Sequence, residues 1–302
     1  MLGDILSERF AKVEPILKGF SGDKKYCATC CDGTKFLLRI IPIERYEASK
    51  HLFAIVERVA ALGVPMCKPI EFGTCPEGVY SLHSWICGED LSYVLPKLSG
   101  DEQYRLGVKS GEILRVIHSI PAPENQEDWA TQYNYKTDER IKKYRESEKA
   151  KFDGGEYFIR YIEQNRNLLD LTAGRSPCFQ HGDYHVHNMM LETESGELQI
   201  IDFGRLSYAD PWEEFFKTVF SAQISPNFST GQLHGYFDGE PTLEFFRLTS
   251  FYISSRVLLA IEWAIPHGQE EVDFVLKLIS DILRWHDNMS NPVPSWYLKN
   301  YK

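Results

Sequence analysis

The sequence lacks the features that would carry a chain out of the cytosol. Its N-terminus, MLGDILSERFAKVEP, has no basic segment followed by an apolar run, so it does not read as a secretory signal. No apolar stretch approaches the roughly 20 residues that span a bilayer. A cytoplasmic protein without membrane contact is therefore expected. A disulfide framework is missing too. The 7 cysteines are odd in number and scattered, which suits a reducing compartment. Cys27, Cys30 and Cys31 cluster, but no second CxxC or His pair stands at zinc-ligand spacing, and the segment alternates like a strand. Positive charge is in deficit, with a net −10 that argues against nucleic acid and would suit a cationic partner. Repeats and low-complexity tracts are absent. What is present, 43% hydrophobic and 25% charged residues in 302, is enough for one large domain or two lobes.

The first third has strand character. KKYCATCC and TKFLLRI flank Asp32-Gly33, whose positions at a two-residue hairpin turn would both take positive φ. Residues 44–62 then place Leu52, Phe53, Val56, Val59, Ala60 and Leu62 at helical spacing, ending at Gly63 before Pro65. IEFGT and GVYSLHSW read as two further strands joined through Cys75–Gly78. Beyond Gly88 the pattern is helical. Ser99 and Glu102 form a capping box before a helix to about His118, which Pro121 and Pro123 follow. Residues 132–170 are charged and mostly helical, 178–202 return to a loop and a short hairpin, and the rest is helical and aromatic. This order describes an α+β, two-lobed kinase-like fold. A β-rich N-terminal lobe, 1–87, precedes a larger helical lobe, 88–302.

The chemistry concentrates in one stretch. His181-Gly182-Asp183 is followed five residues after the Asp by Asn188, and Asp202-Phe203-Gly204 comes after a hairpin. Phosphoryl transfer needs a carboxylate near the acceptor hydroxyl, plus an Asn and a second Asp for metal ions bridging the phosphates. Neither triplet alone is specific; in this order, with a hairpin between them, they are. His185 and His187, two apart in a loop, suit packing or the acceptor site better than metal ligation.

HGDYHVHN followed by IIDFGR resembles the aminoglycoside phosphotransferase family, relatives of the choline and fructosamine kinases. The resemblance runs through most of the chain. It implies a protein-kinase-like fold, ATP or GTP as donor, and Mg2+. It also implies that Asp183 serves the acceptor hydroxyl while Asn188 and Asp202 hold metal. Lys18–Asp23 resembles the family's phosphate loop, where Gly19 lets the backbone approach phosphate and Ser21 donates a hydrogen bond. His83–Gly88 matches the hinge, so the backbone of Ser84 and Ile86 should meet the base. Arg39 stands where many relatives have Lys and would grip phosphate with a planar fork. Glu47 is its expected helix partner, with Glu57 in reserve.

Two further absences bear on the substrate. Gly182, not Arg, precedes Asp183, and only RLSYA separates Gly204 from Asp210, leaving no room for an activation loop. A small-molecule acceptor follows. Glu213 and Glu214, just beyond the metal Asp, and Glu262 beside Trp263 are candidates to face a cation such as an aminoglycoside. Helix-dipole and packing roles explain these residues equally well. A kinase for choline, an amino sugar or a similar metabolite is the alternative, and a non-catalytic nucleotide-binding protein a third.

Overall fold

The computed structural model describes residues 9–17 and 22–301. They form two compact units. One contains the residues up to Leu91 together with Asn188–Leu206, and the other contains Ser92–His187 and Ser207 onward.

The first unit is built on a five-stranded antiparallel sheet ordered β1-β2-β3-β5-β4, from β1 (Lys12–Ile16), β2 (Lys24–Thr29), β3 (Lys35–Ile41), β4 (Pro69–Cys75) and β5 (Gly78–Ser84). Phe10, Ala28, Leu38, Ile40 and Leu82 form its core. Helix α1 (Tyr46–Ala61) buries Val56 and Val59 of the expected stripe together with Ile55, while Leu52, Phe53 and Ala60 are half-buried and Leu62 is exposed. A second sheet joins β6 (Gly88–Asp90) to the hairpin β8 (Met189–Glu192) and β9 (Leu198–Ile200). A Cβ at Gly88 would lie 2.5 Å from the Leu191 carbonyl oxygen, so this approach needs glycine.

The β2–β3 turn differs from the expected two-residue form. Gly33 N–H closes a turn onto the Cys30 carbonyl at 3.0 Å, with Cys31 and Asp32 in the middle. Gly33 alone of the Asp-Gly pair has positive φ, at 86°. Asp32 instead accepts the Thr34 N–H at 2.9 Å, the local bonding that short acidic side chains offer in turns.

The second unit is mainly helical, with β7 (Cys178–Gln180) paired antiparallel to β10 (Ser207–Ala209). The Ser99–Glu102 capping box is formed and opens α2 (Gly100–Ile117). Helix α2 lies hard against a partner helix, α6 (Pro226–Phe237), through four glycines. A Cβ at Gly107, Gly111, Gly231 or Gly235 would sit 2.0–2.2 Å from a carbonyl oxygen of the opposite helix. Besides a single turn at Leu91–Val94, further helices are α3 (Trp129–Glu146), α4 (Gly155–Gln164), α5 (Thr218–Ile224), α7 (Leu243–Val257), α8 (Ala260–Ala264) and α9 (Gln269–Trp285). Among the described residues, no single helix is long and apolar enough to cross a membrane.

Candidate active site

In the second unit the chain leaves the fully buried β7 and turns at Gly182, whose φ of 79° suits glycine. Three bonds then set the loop. Gly182 and Tyr184 donate their N–H groups to Glu214 at 3.1 and 3.4 Å, and Val186 N–H donates to the Ser221 hydroxyl at 3.2 Å. Tyr184 adds a bond from its hydroxyl to the Ser110 carbonyl at 2.8 Å. Glu214 is 2% exposed. Burial alone would raise its pKa, but the His118 imidazole, His181 and the Gly182 N–H together outweigh this and keep it low.

That framework presents Asp183, whose side chain is 27% exposed. Lys217 Nζ lies 2.5 Å from its Oδ1, and His185 Nε2 lies 3.2 Å from the same oxygen. Burial would raise the Asp183 pKa; the His185 hydrogen bond and the Lys217 charge reverse that and hold it far below the usual carboxylate range. Burial pushes His185 down to about 4 despite its bond to Asp183. The ring is therefore neutral at pH 7, and Nε2–H is the donor to Asp183. It stacks on Phe220 with centroids 5.0 Å apart.

His83 and His286 are likewise pushed down to about 4, chiefly by burial. In the unfolded chain such imidazoles take up a proton as pH falls through about 6.5. The folded protein resists until about 4, so the unfolded state binds more protons in between and stability drops as pH is lowered. Asp183 does not offset this, because its depressed pKa adds stability that is lost only below the ordinary carboxylate range. The Tm at pH 5.5 is expected to lie below that at pH 7.5. An equal Tm would mean that these rings are hydrated.

The metal-site candidates lie in the first unit, since the chain passes from one unit to the other between His187 and Asn188. Ile201 N–H donates to the Asn188 carbonyl at 3.0 Å, so the segments bearing Asn188 and Asp202 run side by side. Asp202 has a φ of 64°, rare for a residue with a side chain. Its carboxylate meets Arg39 and Lys25, each at 3.4 Å. Arg39 also pairs with the buried Asp23 at 3.2 Å, and Arg45 takes the other Asp23 oxygen at 2.6 Å.

A sequence model described as the phosphotransferase enzyme family matches residues 12–246. The chain belongs to this family. No curated protein sequence matches it significantly. Solved structures with the same fold include the GDP complex of aminoglycoside 2'-phosphotransferase-IIIa, at TM-score 0.67 and 14% identity, covering 95% of this chain and 97% of that one. A choline/ethanolamine kinase family protein from Mesorhizobium loti reaches TM-score 0.62 at 16% identity, covering 96% and 94%. Amicoumacin kinase hAmiN, in complex with AMP-PNP and Ca2+, gives 0.59 at 12%, again covering 96% and 94%.

In this phosphotransferase several expected roles move. Arg39 takes Asp23 and Asp202 as partners, while Glu47 and Glu57 sit exposed on α1 and form no ion pair with it among the described residues. Glu213 and Glu214 do not face a cationic ligand. Glu213 is 4% exposed and bonded through Oε1 to Arg256 Nε at 2.7 Å, and Glu214 braces the Asp183 loop. The preceding Asp210 is equally committed, to Arg175 at 2.7 Å and to the Tyr252 hydroxyl at 2.8 Å. Glu262 and Trp263 are exposed on α8, and Trp263 packs on His267 with ring centroids 4.8 Å apart. Ser84 N–H is spent on the Lys68 carbonyl at 2.9 Å, and Ile86 is buried in the segment after β5. Gly19 and Ser21 lie outside the described residues. The sequence carries no signal for Lys217, 34 positions beyond Asp183 and on no helix or strand period with it. Asp23 sits inside the recognised loop, but only the fold shows what it pairs with.

Proposed function

We propose that this phosphotransferase moves the γ-phosphate of ATP or GTP onto a hydroxyl of a small molecule, with Asp183 on the acceptor side. The observation that carries this reading is the ionised Asp183 carboxylate, held by Lys217 and His185 at the end of a braced loop. A group with so low a pKa is a weak base. Its work is to orient the hydroxyl and take the proton late, which suits a loose transition state in which little proton transfer precedes P–O bond formation.

On the donor side Arg39 would meet phosphate oxygens, with Gly19 and Ser21 in the phosphate loop. The backbone of Ser84 and Ile86 would meet the base. Asn188 and Asp202 supply hard oxygen donors of the kind Mg2+ takes, and the Asp202 carboxylate already attracts two cations, so the residues fit that ion. When bound, Mg2+ neutralises charge on the transferring phosphate. An aminoglycoside acceptor would keep only Glu262 and Trp263 of its expected contacts, and a metabolite carrying a hydroxyl serves the site equally well.

Calorimetry tests the donor half. Wild type is expected to bind ATP or GTP more tightly with Mg2+ than without it, and Asp202→Ala to lose that gain. If Asp202→Ala binds the magnesium–nucleotide complex as wild type does, the metal assignment fails.

A further inference from the structure

Several cations of the second unit stand over aromatic rings, and one of them, Lys217, pairs with Asp183. Lys217 Nζ lies 5.2 Å from the centre of the Phe216 ring and 4.9 Å from that of Phe220. The Arg256 guanidinium carbon stands 4.8 Å from the centre of the same Phe216 ring, and its side chain is 38% exposed. Arg140, one turn after Lys136 on α3, lies over Tyr133 at 5.2 Å and donates to the Ser255 hydroxyl at 2.8 Å. Arg140, on α3, and Arg256, on α7, both lie close enough to Tyr133 and Lys136 to act on them through their charge. Lys136 stands over Trp129 at 5.5 Å. Burial lowers the Lys136 pKa, and the charges of Arg140 and Arg256 lower it further, against the opposing pull of Glu213 and Glu127.

Two carboxylates of this group are spoken for, while Glu127 is exposed and acts on Lys136. Glu213 is buried beneath Arg256, and Asp183 is paired with Lys217. Among the described residues Arg140 forms no ion pair, its recorded polar partner being the neutral Ser255 hydroxyl. A cationic acceptor would find the Asp183 carboxylate already taken by Lys217. Arg256 spends Nε and Nη2 on Glu213, so an anion would meet the planar fork of Arg140 and the remaining nitrogen of Arg256.

We infer that the acceptor carries an anionic group, carboxylate or phosphate, docked on Arg140 and Arg256, with Lys217 linking that cation group to Asp183. This inference rests on the acceptor-side role proposed for Asp183. It makes Arg140 a specificity-determining residue and reverses the acceptor charge that net composition suggests.

The test uses the full-length protein saturated with Mg–ADP, so that added anions do not report on the donor site. Tartrate, a hydroxy dicarboxylate, is titrated by calorimetry, and sulfate is titrated in parallel as the simple anion. Wild type is expected to bind tartrate and Arg140→Gln to bind it at least tenfold more weakly, with Tm reporting that the variant is folded. Should Arg140→Gln fail to fold, Lys136→Gln, on the exposed side of α3, is expected to weaken tartrate binding in the same direction. Weakening of sulfate alongside tartrate would support recognition of the charge itself, while loss of tartrate alone would assign the site to a carboxylate. Absence of tartrate and sulfate binding in wild type, or equal binding by the folded variants, would overturn the inference. So would turnover of an aminoglycoside that neither anion inhibits. The donor half stands or falls separately, because failure of Mg–ADP itself to bind would count against the kinase reading instead.

Discussion

Asp183→Asn is expected to lower kcat by about 10²–10⁴-fold, the usual contribution of a positioned acid–base group, while leaving magnesium–nucleotide affinity unchanged. The substitution keeps the shape of the side chain and its bond from His185. It removes the charge that pairs with Lys217, whose side chain is only 14% exposed, and it leaves no group to take the acceptor proton. A modest loss of Tm should accompany the kinetic loss, because the ammonium then lacks its nearest counter-charge. Since Asp183 titrates far below neutrality, kcat should show no ionisation of this group between pH 5.5 and 8. Steady-state kinetics with a coupled assay, run beside nucleotide titration, checks both parts. A variant with near wild-type turnover would remove Asp183 from the mechanism.

Glu214→Ala is expected to cost both stability and turnover. The buried carboxylate accepts from Gly182 and Tyr184 and neighbours His118, whose Nε2 lies 3.8 Å away. Deleting it strands two N–H groups in the loop that carries Asp183, at about 1–3 kcal/mol for each buried donor left without a partner. For a chain of this size that corresponds to a Tm lower by about 5–10 °C. Glu214→Gln, which retains one accepting oxygen, should lose less on both counts. Thermal melts of the two variants, with kcat measured below their Tm, check this. An alanine variant that melts and turns over like wild type would show that the loop needs no brace from below.

These two residues also mark how much of the site was legible in the sequence. Asp183, Asn188 and Asp202 could be picked out because the spacing of a loop and a hairpin is a local property, written in consecutive residues. Glu214 was noticed for the same reason, as an acid soon after the DFG-type triplet, yet its direction was misjudged. A helix-start acid reads the same whether it points to solvent or into the loop behind it, and only the packing of Phe215 and its neighbours settles which. Arg39 was placed on its strand by the hairpin signal at Asp32-Gly33, whereas its partners Asp23 and Asp202 come from the loop before β2 and from beyond β9. A helix glutamate was the natural guess without that geometry.

The sequence by itself determined β2 to β5 with the helix among them, the capping box at Ser99, the hairpin after Asn188 and the types of residue offered for phosphoryl transfer. Each of these depends on interactions within about one turn or one hairpin, where periodicity and spacing are sufficient. Tertiary structure alone decided that β6 pairs with the hairpin and that four glycines set the α2–α6 contact. It also decided that the acids after Asp210 turn inward, while Lys217 pairs with Asp183 and shares the Phe216 ring with Arg256. Those outcomes depend on which surfaces meet across long stretches of chain. Burial then acts selectively, because a charge taken out of water persists only beside a partner. The acids could be buried because Arg256 and the loop N–H groups were there to receive them.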